Sequence, residues 1–290
     1  MLTSVKIQPR PASVTALRML CGLTAGALVL LGADHSAFAQ GRLDARYEAT
    51  LAGIPVGKGG WTIDIADDQF TASAFGGTSG LLNAFAGGSG TGASQGRVVN
   101  GALVATNYSA TTTSPKKSEA IHILLSGGNV KEFGIEPLPP VDADRIPVTD
   151  AHRRGVYDPM TGSLLRVPGT GDPVTPEACR VSAAIFDGRM RYELKLDFKR
   201  MATVKAERGY QGPVVVCAIY FTPVAGFIPD RAVIKYLTAQ RNMEIAFAPI
   251  AGTRILVPFR ISIPTPLGQG VIEAVQFVTS PTPRAAVKTQ

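Results

Sequence analysis

The sequence predicts a mainly β protein: a curled antiparallel sheet, an open β-barrel or β-spiral, with a few short helices. Three observations carry this. Apolar and polar residues alternate with a period of two in one segment after another. Gly 31 and Pro 21 together approach a fifth of the 290 residues, against an average of about 12%. The alternating segments are separated by Gly, Pro or Asn clusters at hairpin spacing. At 45% hydrophobic and 18% charged the chain is too apolar for disorder. At this length a fold buries about 70 to 75% of the unfolded surface. Helical bundles, coiled coils and helical repeats are disfavoured.

Taken in order, Met1 to Arg18 carries Lys6, Arg10 and Arg18 and no acid, Met19 to Ala33 is an uncharged apolar run, and Ala37-Phe38-Ala39 supplies a small-x-small pattern. Asp34 and His35 close the run short of the ~20 residues a membrane span needs. Residues 1–39 therefore read as a signal peptide, cleaved after Ala39, which sends the protein to the periplasm. Cys21 lies inside the run, where no lipid would be attached. No later segment reaches ~18 consecutive apolar residues, so the exported chain is expected to hold no transmembrane segment. Residues 40–279 read as a single β-rich domain, and the polar stretch 280–290 as a disordered tail.

Within the domain, alternation predicts strands at Tyr47 to Leu51, Trp61 to Ile65, Arg97 to Val104 and Ile121 to Leu125. More follow at Met190 to Lys199, Val214 to Phe221, Met243 to Ala248, Arg254 to Ile263 and Val271 to Thr279. Thr78 to Ala86 reads as a short helix stopped by Gly87-Gly88. Asp158-Pro159 offers an N-cap and a first-turn proline for a helix over Met160 to Arg166. Pro229-Asp230 opens a third, running through Lys235 to Leu237. The glycine run Gly87 to Gly96 reads as a flexible turn, and the proline-rich stretch Phe133 to Arg154 as a loop without core of its own.

Charge excludes one class of partner. The full chain carries a net +7. Without residues 1–39, which hold three basic residues and one acid, 26 Lys+Arg face 21 Asp+Glu, a net +5. The basic residues are scattered, with no nucleic-acid-binding signature, so no nucleic-acid partner is expected. Two cysteines remain after the leader, Cys179 and Cys217, and an even pair in an oxidising compartment predicts a disulfide bond. It would close a 38-residue separation. In the chain-entropy account such a loop is worth about 4 kcal/mol.

Parts for catalysis are few. Gly92-Ala93-Ser94-Gln95-Gly96 matches G-x-S-x-G, with His152 and Asp142, Asp144 or Asp150 downstream, but it lacks the strand before and the helix after that expose a nucleophile. A serine-dependent hydrolase using Ser94 and His152 is the alternative reading. Gly53-Ile54-Pro55-Val56-Gly57-Lys58 is one residue short of a phosphate-binding loop and reads as a hairpin turn. Ser114-Pro115-Lys116-Lys117 matches S-x-x-K without the partner motifs. His122 alternates with Ile121 and Ile123 and points to solvent. The three aspartates lack calcium-loop spacing, so neither a metal nor a cofactor is expected.

The tyrosine strand and hairpin from Tyr47 to Gly57, the Gly-Leu-Leu-x-x-Phe segment Gly80 to Phe85, Val156 to Thr161, and Phe186-Asp187-Gly188-Arg189 together resemble an uncharacterised exported bacterial family. It is the domain-of-unknown-function family numbered 3108, and the resemblance runs over most of residues 44 to 279. The family has no activity to carry over. By fold-level analogy with periplasmic open barrels it implies a curled sheet with helices inside or at its mouth. The resulting expectation is a non-enzymatic protein of the cell envelope that binds an apolar or lipid-like ligand, or an envelope protein partner. Leu81, Leu82, Phe85, Leu164 and Leu165 would either line the ligand cavity or plug it as packed core.

Overall fold

The computed structural model describes residues 40–80 and 87–281. The predicted signal peptide and the apolar residues Leu81, Leu82 and Phe85 lie outside the described residues. The first half is a seven-strand meander: β1 (Gly41–Leu51), β2 (Ile54–Ile65), β3 (Gln69–Thr78), β4 (Ser89–Val99), β5 (Ala102–Ser114), β6 (Lys117–Ser126) and β7 (Asn129–Glu136). The second half holds β8 (Leu165–Arg166), β9 (Val181–Phe186), β10 (Arg191–Lys205), β11 (Arg208–Gly209), β12 (Gln211–Ala225), α1 (Ala232–Ala239), β13 (Met243–Pro249), β14 (Ile255–Thr265) and β15 (Gly268–Pro281).

Both halves join in one sheet because β1 pairs antiparallel with β15, giving the order β7-β6-β5-β4-β3-β2-β1-β15-β14-β13-β12-β10-β9. The turns follow from sequence. Ala52 and Gly53 (φ 50° and 81°) and Asn100 and Gly101 (φ 52° and 74°) take the left-handed pairs that two-residue hairpins require.

The sheet curls without closing its ladder: β7 and β9 are its edges. Their gap is bridged at three heights. At one end Arg189 grips the Glu119 carboxylate through Nε (3.1 Å) and Nη2. At mid-height Phe133 and Phe186 meet edge to face, centroids 5.3 Å apart. At the other end a strap lies across the gap: Val156 N–H donates to Gly128 O (2.7 Å), Tyr157 N–H to Ala184 O (2.8 Å), and Phe186 N–H to Tyr157 O (2.9 Å).

One core cluster holds Leu43, Ile63, Phe70, Ile123, Phe186 and Phe259. A second holds Cys179, Cys217, Leu196, Ile245, Phe247 and Leu256. The unbroken apolar run Val214 to Ile219 serves both, because β12 is buried on its two faces: Val214 and Val216 join the first cluster, Val215, Cys217 and Ile219 the second. The far end of the β10–β12 hairpin packs against β15. There β11 pairs parallel with Gln276 and Phe277, and the Tyr210 ring sits 5.8 Å from that of Phe277.

Several sequence expectations are corrected. Met160 to Arg166 is no helix but one 3-10 turn, Thr161–Ser163, followed by β8, because Leu165 and Arg166 pair with β14 instead. The supposed flexible turn Gly87 to Gly96 contains most of β4, where glycines leave room for the facing strands: a Cβ on Gly96 would come within 2.1 Å of Val104 O. Phe133 to Arg154 is not all loop, since β7 runs to Glu136 and a 3-10 turn spans Asp150–Arg153. Ser280 and Pro281 belong to β15, paired with Arg42 and Gly41, rather than to a tail; 282–290 lie outside the described residues. Phe198 is exposed although alternation groups it with Leu194 and Leu196, and a bulge between Phe198 and Arg200 ends the alternation there.

Candidate functional site

The inward positions of β1, β2 and β3 lose side-chain bulk along the sheet. On β2 they read Ile65, Ile63, Trp61, Gly59, Gly57; on β3 Phe70, Ala72, Ala74, Gly76; on β1 Leu43, Ala45, Tyr47, Ala49. Near the β1–β2 turn the sheet therefore curls around space it does not fill. A cavity of about 360 Å³ lies there, walled by Tyr47, Gly59, Trp61, Ala74, Gly76 and Ile272. A second, of about 260 Å³, sits under β10, β12 and β13, lined by Leu165, Leu194, Ile219, Phe221, Ile245 and Leu237 of α1. The two meet at Ser163, Pro258 and Ile261, which belong to both walls. Their linings are almost wholly apolar, and their sizes bracket the lower end of small-ligand sites, about 300 to 1,000 Å³.

Few polar groups reach these walls. The Tyr47 hydroxyl donates to Pro258 O (2.8 Å), fixing β1 against β14, and burial raises its pKa. The Trp61 Nε1–H is buried without a partner among the described residues. An orphaned donor of this kind costs about 1 to 3 kcal/mol.

A different centre holds the strap in place. Asp158, Ser94 and Thr161 are the buried polar side chains among the described residues. Asp158 Oδ1 accepts the Met160 and Thr161 N–H groups (3.0 Å each), and Oδ2 accepts the Ser94 hydroxyl (3.2 Å). The Ser94 and Thr161 hydroxyl oxygens lie 3.0 Å apart. Desolvation raises the Asp158 pKa above the usual carboxylate range, outweighing the lowering by its hydrogen bonds from Thr161, Met160 and Ser94. Asp187, at the β9–β10 turn, accepts from Arg189 N–H (2.8 Å) and Met190 N–H (2.6 Å) and is likewise raised by burial. Burial first, and then the charges of Asp158 and Asp187, push the Tyr108 phenol up to about 12; Tyr192 is raised for the same reasons.

The sequence candidates are now placed. Ser94 is buried in mid-strand and bonded to Asp158 and Thr161, while the His152 ring, at a surface turn, accepts the Thr149 N–H (3.1 Å). No hydrogen bond links Ser94 to His152. Cys179, in the 3-10 turn Pro176–Cys179, is bridged to Cys217 of β12, with Cα atoms 5.5 Å apart. Leu164 packs in the first core cluster, whereas Leu165 lines the second cavity. Asp142 faces Arg231 at 3.9 Å and Asp150 pairs with Arg153 at 2.8 Å. His122 is exposed, its ring over Gly134.

Asp158 was legible as a cap but not as the partner of Ser94, which lies 64 residues away. The shrinking side chains toward Gly57 and Gly76 were not read as a signal, though they are the feature of the sequence that marks the cavity.

The family model described as Protein of unknown function (DUF3108) matches residues 46–275, nearly the whole curled sheet. The chain belongs to this family. Among solved structures it is similar to the "Crystal Structure of Beta-barrel-like Protein of Domain of Unknown Function DUF1849 from Brucella abortus", with 9% identity and a TM-score of 0.43, covering 84% of this chain and 99% of that one. No curated protein matches the chain. The DUF3108 match includes both the Asp158 centre and the strands that wall the cavities. No described helix is long and apolar enough to cross a membrane.

Proposed function

We propose that this DUF3108 member is a non-enzymatic protein of the periplasm that binds an apolar, lipid-like ligand inside its curled sheet. The observation that carries the reading is the pair of adjoining apolar cavities, about 360 and 260 Å³, on either side of Pro258 and Ile261. A packed core of this size seldom leaves such space unfilled, because each unfilled volume forfeits contacts at about 24 cal/mol per Å³. Here the emptiness is written into the sequence by Gly57, Gly59 and Gly76 at inward positions. The export signal read from residues 1–39 supports the compartment. The buried, hydrogen-bonded state of Ser94 supports a structural rather than a nucleophilic role.

The test is titration with a fluorescent fatty acid whose emission rises in apolar surroundings. The protein is expected to bind it saturably, and Gly76→Leu and Ile261→Trp, which fill the first cavity and its junction with the second, to weaken binding at least tenfold while far-UV circular dichroism stays unchanged. No saturable binding by the unaltered protein, or equal binding by both variants, would overturn the reading.

A further inference from the structure

One end of the sheet is marked off by charge. Glu48 of β1 lies in register with Lys58 of β2 and with Glu273 of β15, and Glu273 with Arg260 of β14. Lys58 Nζ stands 4.0 Å from Glu48 and Arg260 Nη1 3.2 Å from Glu273, so four charges form a belt across four neighbouring strands. Beyond the belt these four strands carry no charge. Ala49 to Gly57 and Ile261 to Ile272, the two hairpin ends on that side, contain no Asp, Glu, Lys, Arg or His, and neither does β3 next to them.

The two turns abut, Ala52 N–H donating to Gln269 O at 2.9 Å. At their tips Ile54 is 62% and Leu267 75% exposed. Ile272, 44% exposed, continues the apolar surface from the tips into the wall of the first cavity. From Arg260 to the β14–β15 turn the uncharged zone is about six residues long, or about 20 Å at ~3.3 Å per residue. Both flanks of the same end differ: the β5–β6 turn carries Lys116 and Lys117, and α1 and its approach carry Asp230, Arg231 and Lys235.

We propose that the uncharged end, led by Ile54 and Leu267, docks on a lipid bilayer, with the belt of Glu48, Lys58, Arg260 and Glu273 staying in the headgroup and water layer. A protein partner is usually gripped by aromatic and arginine anchors within a rim of hydrogen-bonding groups. The tips offer neither: Ala52, Gly53, Ile54, Pro55, Pro266 and Leu267 present apolar area alone. A bilayer asks only for apolar area and the absence of charge, to a depth of about 5 to 10 Å. The inference concerns a surface outside the cavities, and it stands or falls separately from ligand binding, because the soluble fatty-acid titration reads one and vesicles read the other.

The experiment attaches an environment-sensitive dye through Leu267→Cys, or through Val99→Cys at the opposite end, in protein purified after export, when Cys21 has left with the leader; Cys179 and Cys217 are buried in their disulfide and do not react. Vesicles of phosphatidylethanolamine and phosphatidylglycerol, about three to one, are then added. Emission is expected to rise several-fold at 267 and to stay flat at 99. The exposed double variant Ile54→Glu, Leu267→Glu is expected to lower vesicle co-flotation about tenfold or more. Equal response at both ends, or none at 267, overturns the proposal. So does binding that requires phosphatidylglycerol and vanishes in high salt, which would assign it to basic residues elsewhere. A dimer that the double variant dissolves, without vesicle binding, would make the occupant a second copy of this chain and overturn it as well.

Discussion

At the strap, the buried carboxylate of Asp158 accepts hydrogen bonds from two backbone N–H groups and the Ser94 hydroxyl, whereas under β1 to β3 the inward positions end in Ala49, Gly57 and Gly76 and no side chain fills the space. Both regions lie inside one curled sheet, and they answer the loss of water in opposite ways. Around Asp158 each polar group is matched because an unmatched one in a low-dielectric interior is costly. Around Gly59 and Gly76 there is little polar to match, and the vacancy costs only dispersion. The strap centre therefore holds the two sheet edges together, while the glycine-walled centre leaves volume for something else. Stability is concentrated where the ladder is open, and the proposed ligand site lies where the side chains stop.

The comparison breaks most readily at Asp158. Asp158→Ala strands the Met160 and Thr161 N–H groups and the Ser94 hydroxyl, and it should lower unfolding stability by about 3 to 5 kcal/mol in urea. A loss below ~1 kcal/mol would mean that the strap does not close the seam. Next in size is the disulfide: replacing Cys179 and Cys217 by Ser should cost about 2 to 4 kcal/mol, and comparable urea midpoints for the two forms would remove it from the account.

A pH series sharpens the picture at the same centre. A carboxyl whose native pKa lies above its unfolded value binds its proton more tightly when folded. Asp158 therefore adds stability below 3.8 that is lost as pH rises through its raised native value. Asp158→Asn removes that titration, so the urea midpoint of the variant relative to the natural protein should climb across this window. A difference independent of pH would contradict the assignment to Asp158. Glu119 works in the opposite sense: Lys117 and Arg189 hold its pKa low, and this half-buried group adds stability above 4.5 that is lost as pH falls through its lowered native value.

The smallest effect is expected in the empty region. A Cβ on Gly76 meets nothing nearer than Lys58 O at 3.7 Å, so Gly76→Ala should be neutral or stabilising by about 0.5 to 1 kcal/mol. A clear destabilisation would show that the glycine is there for the backbone and not for the cavity.

The strands were legible wherever one face is wet: Tyr47 to Leu51, Trp61 to Ile65 and Ile121 to Leu125 alternate, and they fall within β1, β2 and β6. Alternation was silent where glycine replaces the inward residue, so β4, with Gly90, Gly92 and Gly96, read as a turn. The Met160 to Arg166 helix failed because local capping by Asp158 is the same for a helix and for a single 3-10 turn; the pairing of Leu165 with Leu256 of β14 decides between them, and that contact is long-range. The cysteine pair was readable from its even number and the export signal expected of residues 1–39. The junction at Pro258 and Ile261 was not, since it exists only once β14 has curled against β1.

Native mass spectrometry of the protein as recovered from the periplasm of expressing cells, followed by organic extraction, tests the central claim most directly. The account predicts an adduct of a few hundred daltons that extracts as a lipid-like compound and is lost in Gly76→Leu and Ile261→Trp. A single bare mass in the natural protein, with no binding of added fatty acid under the same gentle conditions, would contradict it.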